Sequence, residues 1–312
     1  MIITLTPNPS VDRTLHVPQL RFNEVLRAHD VRVDWGGKGF NVSRALRILN
    51  EETLALAWVG GGTGRMVQHG LNQLGIKTDF VWVEDETRIN TVAQEDSGEW
   101  YIRLNEPGPH IPEDAIQSLL AKAEAYASKK DIWVAAGSLP QDVPADFYTQ
   151  LIHLLKNKGV RVFFDANGEA LRAGLSDPPF LVNPDITETE NYVGFSIHNY
   201  DDAKRAVLPF LRLGVEYVAL SIDGLGLLLA SQQEMMLATP PKVSIRNVTG
   251  AGDALMAGMA YGFARGMDLR EIARLGAAFS AVAVTTESLT SVKNSDVEAM
   301  LPRVEVRTVN VM

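Results

Sequence analysis

Short runs of consecutive apolar residues alternate along the chain with longer stretches in which apolar positions recur every three or four residues. The short runs fall at 2–6, 54–59, 132–136, 160–164, 180–182 and 217–221. Consecutive apolar positions suit strands buried on both faces of a parallel sheet. Between them, 42–49, 66–74, 112–127, 145–157 and 202–213 carry helical spacing. Strands alternating with helices of this length predict a three-layer α/β/α fold around a mostly parallel, doubly wound sheet. Residues 253–284 are rich in Ala and Gly and read as helix able to pack closely on the sheet.

Two segments break that rhythm. Residues 12–34 and 89–104 alternate apolar and polar side chains at period two, the second with Asp96-Ser97-Gly98 as a hairpin turn. Both read as antiparallel strands with one wet face. Together they predict a small β-sheet lid, from about 12–34 and 88–106, over the ends of the central strands; edge hairpins without function are the alternative. No repeat, low-complexity segment or linker interrupts residues 1–312, which reads as one domain.

Composition narrows the functional classes. A net charge of -9 argues against a nucleic-acid surface, which needs concentrated Lys and Arg. The absence of cysteine removes disulfides, thiolate metal sites and cysteine nucleophiles. The first residues, MIITLTPNPSVD, form a strand and a turn with no basic leader. No apolar run approaches the ~18 residues that cross a bilayer. The expectation is a soluble cytoplasmic protein that binds neither nucleic acid nor membrane.

Candidate chemistry concentrates in glycine-rich turns. Gly250-Ala251-Gly252-Asp253 leaves the backbone nearly bare where a helix begins. The first N–H groups of a helix lack internal partners, and its dipole adds positive potential, so such a turn holds an anion. A carboxylate there suits a base that takes a proton as a phosphoryl group transfers; it equally suits an N-cap. Gly36-Gly37-Lys38-Gly39, followed by Asn41, reads as a sugar or phosphate cradle, or as a glycine turn capped by Asn41. It lacks the Gly-Lys-Ser/Thr of a P-loop. Gly60 to Gly64 fails as a dinucleotide motif, because Arg65 stands where the third glycine is required.

Other candidates lie at strand ends, where α/β folds bind ligands. Asp12 follows the first strand and can accept from two sugar hydroxyls, or form an Asx turn after Pro9. Arg88, with Arg27 and Lys38, is placed to hold a substrate phosphate. Ser138, in Gly137-Ser138-Leu139-Pro140, offers a hydroxyl, but no histidine pattern supports hydrolase chemistry. Asp185 and Glu188 could organise Mg²⁺ through water, or form a capping box. The six histidines show no metal-binding spacing.

These motifs occur together in one order: TPNPSVD at the start, WGGKGFNVSRAL at 35–46, TRIN at 87–90, LNEPGP at 104–109, GSLP at 137–140, FDANGEAL at 164–171 and TGAGDALMAG at 249–258. In this the sequence resembles the ribokinase-like carbohydrate kinases of the PfkB type, over nearly its whole length and nearest to the hexose-phosphate branch. The resemblance implies ATP- and Mg²⁺-dependent phosphorylation of a ketohexose phosphate. Fructose 1-phosphate, giving fructose 1,6-bisphosphate, is the first expectation, and tagatose 6-phosphate or fructose 6-phosphate the next. It implies Asp253 as base and the amides of Gly250, Ala251 and Gly252 as anion hole. Asp12, Gly37, Lys38, Asn41, Arg88 and Ser138 match sugar-phosphate positions. Asp185, Glu188, Ser221, Gly224, Gly226 and Thr249 fall on the nucleotide side, with Glu188 reaching the metal through water. A homodimer formed through the lid sheets is also implied.

The chain departs from that pattern where Lys-Pro-Asn-x-x-Glu is usual: it has Asn183-Pro184-Asp185 and then Glu188. Asp223 stands where the nucleotide-side loop usually has glycine. Both changes make the phosphate side more negative. They leave open a sugar-phosphate sensor that has kept the scaffold without the chemistry.

Overall fold

The computed structural model describes residues 1–222 and 225–310. In chain order its elements are β1 (Ile2–Thr6), β2 (Ser10–Val17), β3 (Asp30–Gly36), α1 (Lys38–Ile48), β4 (Thr53–Gly60), α2 (Gly61–Gln73), β5 (Lys77–Thr78), β6 (Val81–Val83), β7 (Arg88–Glu95), β8 (Tyr101–Leu104), α3 (Glu113–Tyr126), β9 (Ile132–Ala136), α4 (Phe147–Asn157), β10 (Arg161–Asp165), α5 (Gly168–Gly174), β11 (Leu181–Val182), α6 (Ile186–Val193), α7 (Tyr200–Leu213), β12 (Tyr217–Ile222), β13 (Gly226–Ala230), β14 (Met235–Thr239), α8 (Ala251–Ala264), α9 (Leu269–Ala283), α10 (Asn294–Met300) and β15 (Glu305–Val309).

The large sheet runs in the order β15-β14-β13-β12-β11-β10-β9-β1-β4-β5, with β6 also on β4. Its pairs from β12 to β5 are parallel, as the continuous apolar runs predict. Side chains of these strands alternate between two apolar clusters, so both faces are buried. Ile3, Leu5, Trp133 and Ala135 join the core under α3, α4 and α7. Ile2, Ile132, Val134 and Ala136 join the core under α1, α8 and α9. The strands β13, β14 and β15 add an antiparallel edge that the strand–helix alternation does not predict.

The second sheet has the order β3-β2-β7-β8. The two predicted hairpin segments meet edge to edge, because β2 and β7 pair in parallel along their whole length, Ser10 opposite Arg88 and Val17 opposite Glu95. One expectation fails: the period-two pattern of 12–34 does not continue as strand. Residues 18–29 form an irregular loop, with Phe22 and Val25 more than four-fifths exposed. Pro18 cannot donate to a sheet ladder, which fits an end to β2 at Val17.

The helices α8 and α9 touch closely because glycines face each other. A Cβ on Gly258 would lie 3.1 Å from the Gly276 backbone and the Leu275 carbonyl oxygen, none of which can swing aside. We expect Gly258→Val to cost about 1–3 kcal/mol by overpacking, read as a lowered midpoint in chemical denaturation.

Candidate active site

The helix α8 starts on a glycine because its cap residue is left-handed: Gly250 has φ 84°, a region that other residues enter at a cost. A Cβ there would also press on Leu289 at 3.0 Å. Asp253 is therefore the third residue of the helix, not its cap, and its side chain makes no capping bond. That removes the N-cap alternative. Its carboxylate instead accepts from Asn41 Nδ2 at 2.8 Å, joining residues 212 apart in sequence. Asn41 is not a cap either: α1 begins at Lys38 after Gly37, whose φ is 133°.

The N–H groups at the start of α8 divide. That of Ala251 turns back to the Val248 carbonyl at 3.3 Å. Among the described residues, those of Gly252 and Asp253 have no backbone partner. The N–H of Gly250 likewise has no partner among the described residues, so of the expected Gly250–Gly252 set only the Ala251 amide is engaged, and that of Asp253 joins the other two.

Lys38 does not stand free. Its Nζ lies 2.5 Å from Oδ1 of Asp165 at the end of β10. Burial disfavours the ammonium, but Asp165, Asp253 and Glu188 more than offset it, so the Lys38 pKa rises and the charge persists. Asp253 is moved the other way. Burial, then the charge of Asp165, push its carboxyl up to about 7 against the opposing effects of Lys38, Asn41 and Arg44. Glu188 is likewise pushed up to about 7, first by burial, then by Asp165 and Asp185, with the Asp185 N–H and Lys38 opposing. Carboxyls held near neutrality suit proton transfer.

A second polar group forms where the small sheet meets β1. Asp12 lies within β2, not in an Asx turn. Its Oδ1 accepts from Ser10 Oγ at 2.6 Å and from Asn90 Nδ2 at 3.0 Å. Gly36 must be glycine here, since a Cβ would fall 2.3 Å from Asp12 Oδ2. Arg88 donates to the carbonyls of Asn8 (2.8 Å) and Glu106 (3.1 Å), so part of its fork is spent tying the 105–109 loop to β1. Its buried Nε has no partner among the described residues.

An acid-lined helix terminus, a fixed lysine and a polar corner around Asp12 combine with a sequence match: residues 7–296 fit the description pfkB family carbohydrate kinase. The chain belongs to the pfkB family of carbohydrate kinases. Two similar relatives are both named 1-phosphofructokinase. That of Bacillus subtilis (strain 168) is 33% identical over 98% of this chain and 99% of its own. That of Vibrio cholerae serotype O1 (strain ATCC 39315 / El Tor Inaba N16961) is 30% identical over 91% and 89%. Among solved structures, phosphofructokinase-2 from Escherichia coli in complex with fructose-6-phosphate superposes with a TM-score of 0.89, at 28% identity, covering 96% of this chain and 98% of that one.

In this pfkB-family kinase the remaining expected residues are not all gathered. Arg27 sits in the exposed 18–29 loop, outside the ladders of the small sheet. Ser138 follows Gly137, whose N–H is held by the Asp165 carbonyl at 2.9 Å. Thr249 Oγ1 accepts from Arg103 of β8 at 3.2 Å, a bridge between the two sheets' surroundings. Ser221 lies near the end of β12. Gly226 opens β13, where a Cβ would strike the Ala238 carbonyl oxygen at 2.2 Å, so its role in the fold is structural. Gly224 and Asp223 lie outside the described residues.

Asp185 and Glu188 form the capping box of α6: Asp185 Oδ1 accepts from Glu188 N at 2.7 Å, and Glu188 Oε2 from Asp185 N at 2.9 Å. One oxygen of each is left over. No three metal-type side chains converge among the described residues, so a cation here would be held mainly by ligand oxygens and water, which is how Mg²⁺ usually binds beside phosphates. The other glycine-rich helix start is occupied: Glu86 accepts from Gly62 N and Thr63 N, each at 2.9 Å, which confirms Gly60–Gly64 as a structural turn. No described helix is long and apolar enough to cross a membrane.

Four residues escaped the sequence reading: Ser10 and Asn90, which hold Asp12, and Asp165 and Arg44. Asp165 ends a central strand, where α/β folds bind ligands, and that rule would have found it. Arg44 is only 6% exposed on α1 and reaches Asn41 Oδ1 at 3.5 Å; a charged residue on the apolar stripe of a helix was its signal.

Proposed function

We propose that this kinase transfers the γ-phosphoryl group of ATP to a ketohexose phosphate, fructose 1-phosphate first, with Asp253 as general base. The observation that carries the reading is the buried Asp253 carboxyl, held near neutrality by its surroundings and beside the unpaired N–H groups of Gly252 and itself. Asp12, Ser10 and Asn90 hold sugar hydroxyls, while Lys38, Arg88 and Ser138 orient the acceptor. Asn41, itself steadied by Arg44, keeps the Asp253 carboxylate aimed at the acceptor hydroxyl. As that oxygen bonds to phosphorus and the bond to ADP breaks, Asp253 takes the hydroxyl proton. The amides of Gly252 and Asp253 hold the oxygen that gains charge. Mg²⁺ bound with ATP supplies further charge neutralisation, with Glu188 and Asp185 the residues placed to hold its water.

The names of the relatives favour fructose 1-phosphate over the 6-phosphates. A coupled ADP-release assay over phosphorylated and free ketoses tests the assignment. Turnover is expected to be fastest with fructose 1-phosphate. Fructose 6-phosphate or tagatose 6-phosphate as the best substrate would replace it, and sugar-phosphate binding with no ADP release from any ketose would favour the sensor.

A homodimer through the small sheet completes the proposal. Val31 and Val33 on β3, with Trp100, Tyr101, Ile102 and Leu104 at β8, are exposed apolar residues at the two edges of this sheet, and a second copy docked on the sheet would cover them. Sedimentation should give a dimer, and Val33→Arg a shift to monomer with KM raised more than the fold is weakened.

A further inference from the structure

Arg44 is the only lysine or arginine that is buried among the described residues. It lies on α1, one turn after Asn41. Burying a guanidinium is unfavourable unless it is well paired, and an apolar side chain fills such a space without that penalty. The pairing here is poor. Among the described residues the one carboxylate within reach is that of Asp34, at 3.8 Å. Asp34 also faces Arg32, whose Nε is closer at 3.3 Å. The Nε of Arg44 is buried with no partner among the described residues. Neither packing nor ion pairing therefore accounts for a charge in this place.

The fork of Arg44 faces two ways. Its Nη2 donates to the Trp35 carbonyl at 2.5 Å, and its Nη1 lies 3.5 Å from Asn41 Oδ1. Trp35 belongs to β3, and its ring rests on α2, where a Cβ on Gly70 would fall 1.9 Å from it. The strand β3 pairs with β2 so that Asp34 stands opposite Asp12. On the other side, Asn41 Nδ2 donates to Asp253 Oδ2 at 2.8 Å. One guanidinium thus spans from the strand beside the acceptor corner to the amide that holds the base. We infer that Arg44 is a positioning residue that ties Asn41 to the Trp35 carbonyl, so that the aim of the Asp253 carboxylate depends on where β3 sits. This rests on the kinase reading above and deepens it, since the sheet that holds the sugar then also sets the base. A planar fork fixes two partners at once, which a lysine ammonium does not. Its charge acts as well: burial and Asp165 raise the Asp253 carboxyl, and Lys38, Asn41 and Arg44 oppose the rise.

Kinetics and urea denaturation of the full chain test this with Arg44→Met, Arg44→Lys and Asn41→Ala, singly and combined. Arg44→Met should lower kcat by about 100-fold, the loss that a misplacement of about 1 Å brings, with KM for ATP within about twofold of the parent. The kcat/KM limb near pH 7 should move to higher pH in Arg44→Met, where a charge favouring the ionised base is gone. It should hold in Arg44→Lys, which loses the fork but keeps the charge; kcat should fall in both. In an Asn41→Ala background either change at 44 should lower kcat by less than about threefold, because the link is already cut. Gly70→Ala, on α2, should displace Trp35 and lower kcat by at least about threefold, with no further loss in Arg44→Met. Losses at 44 of equal size with and without Asn41 overturn the inference. So do a Gly70→Ala enzyme with parental kcat and an Arg44→Met enzyme that is less stable but keeps both kcat and limb. If Arg44→Met does not fold, Arg44→Lys carries the cycle alone. A parent that releases no ADP with any ketose phosphate overturns the kinase reading, and this inference with it.

Discussion

Asp253→Asn should lower kcat by about 10²–10⁴-fold, the range lost with a general base, and at the same time make the folded protein more stable above neutral pH. The two effects share one cause. Burial and Asp165 raise the Asp253 carboxyl from its ordinary 3.8 to about 7. A carboxyl with a raised folded pKa favours the fold in its neutral form; that contribution is complete below about pH 4 and is lost as pH rises through about 7. At pH 8 the native state carries the full cost of a buried anion. At about 1.4 kcal/mol per pKa unit, asparagine recovers up to about 4 kcal/mol there, and next to nothing near pH 4. Urea denaturation of parent and variant at both values checks the sign. A variant less stable at pH 8, or one with near-normal kcat, contradicts the role of Asp253.

Lys38→Met should be the most damaging single change at the site. Asp165 is 5% exposed, and Lys38 is its only ion-pair partner among the described residues. Removing one member of a buried pair costs about 3–5 kcal/mol; the side chain of Lys38 is 40% exposed, which puts the loss at the low end. Without the lysine, Asp253 and Glu188 also lose an attraction, so their carboxyls rise further above about 7 and less of each is ionised at neutral pH. Turnover falls with stability. Asp165→Asn in the same chain should restore much of the stability and little of the activity, since it removes the stranded anion but returns no cation. Independent, additive effects of the two changes would show that the pair is not coupled.

The parallel core was legible because its strands are buried on both faces, and unbroken apolar runs such as 132–136 say so directly. The antiparallel edge from β13 to β15 was not. The strands β12, β13 and β14 follow one another with no helix between them, and Glu305–Val309, which returns only after α8, α9 and α10, is a polar edge with little periodic signal. The strands β5 and β6, of two and three residues, are too short to carry a period.

At the site, residue types in glycine turns were readable, but their pairing was not. Nothing in local sequence says that Asn41 meets Asp253 or that Lys38 meets Asp165, because β1, β9 and β10 must first bring those segments together. The helix α8 also began two residues before Asp253, since a left-handed Gly250 is set by its packing on Leu289 and not by composition alone. The converse holds around Arg27: alternation in 12–34 persists through residues 18–29, which form no ladder.

The most direct test of the account is kcat/KM for the sugar phosphate against pH, at saturating Mg²⁺ and ATP, in the parent and in Glu188→Gln. Asp253 must be ionised to accept a proton, so the profile should rise with a single limb near pH 7 and keep that limb when Glu188 is neutralised. A profile flat from pH 5.5 to 8.5, or a limb that vanishes with Glu188→Gln, would contradict Asp253 as the base.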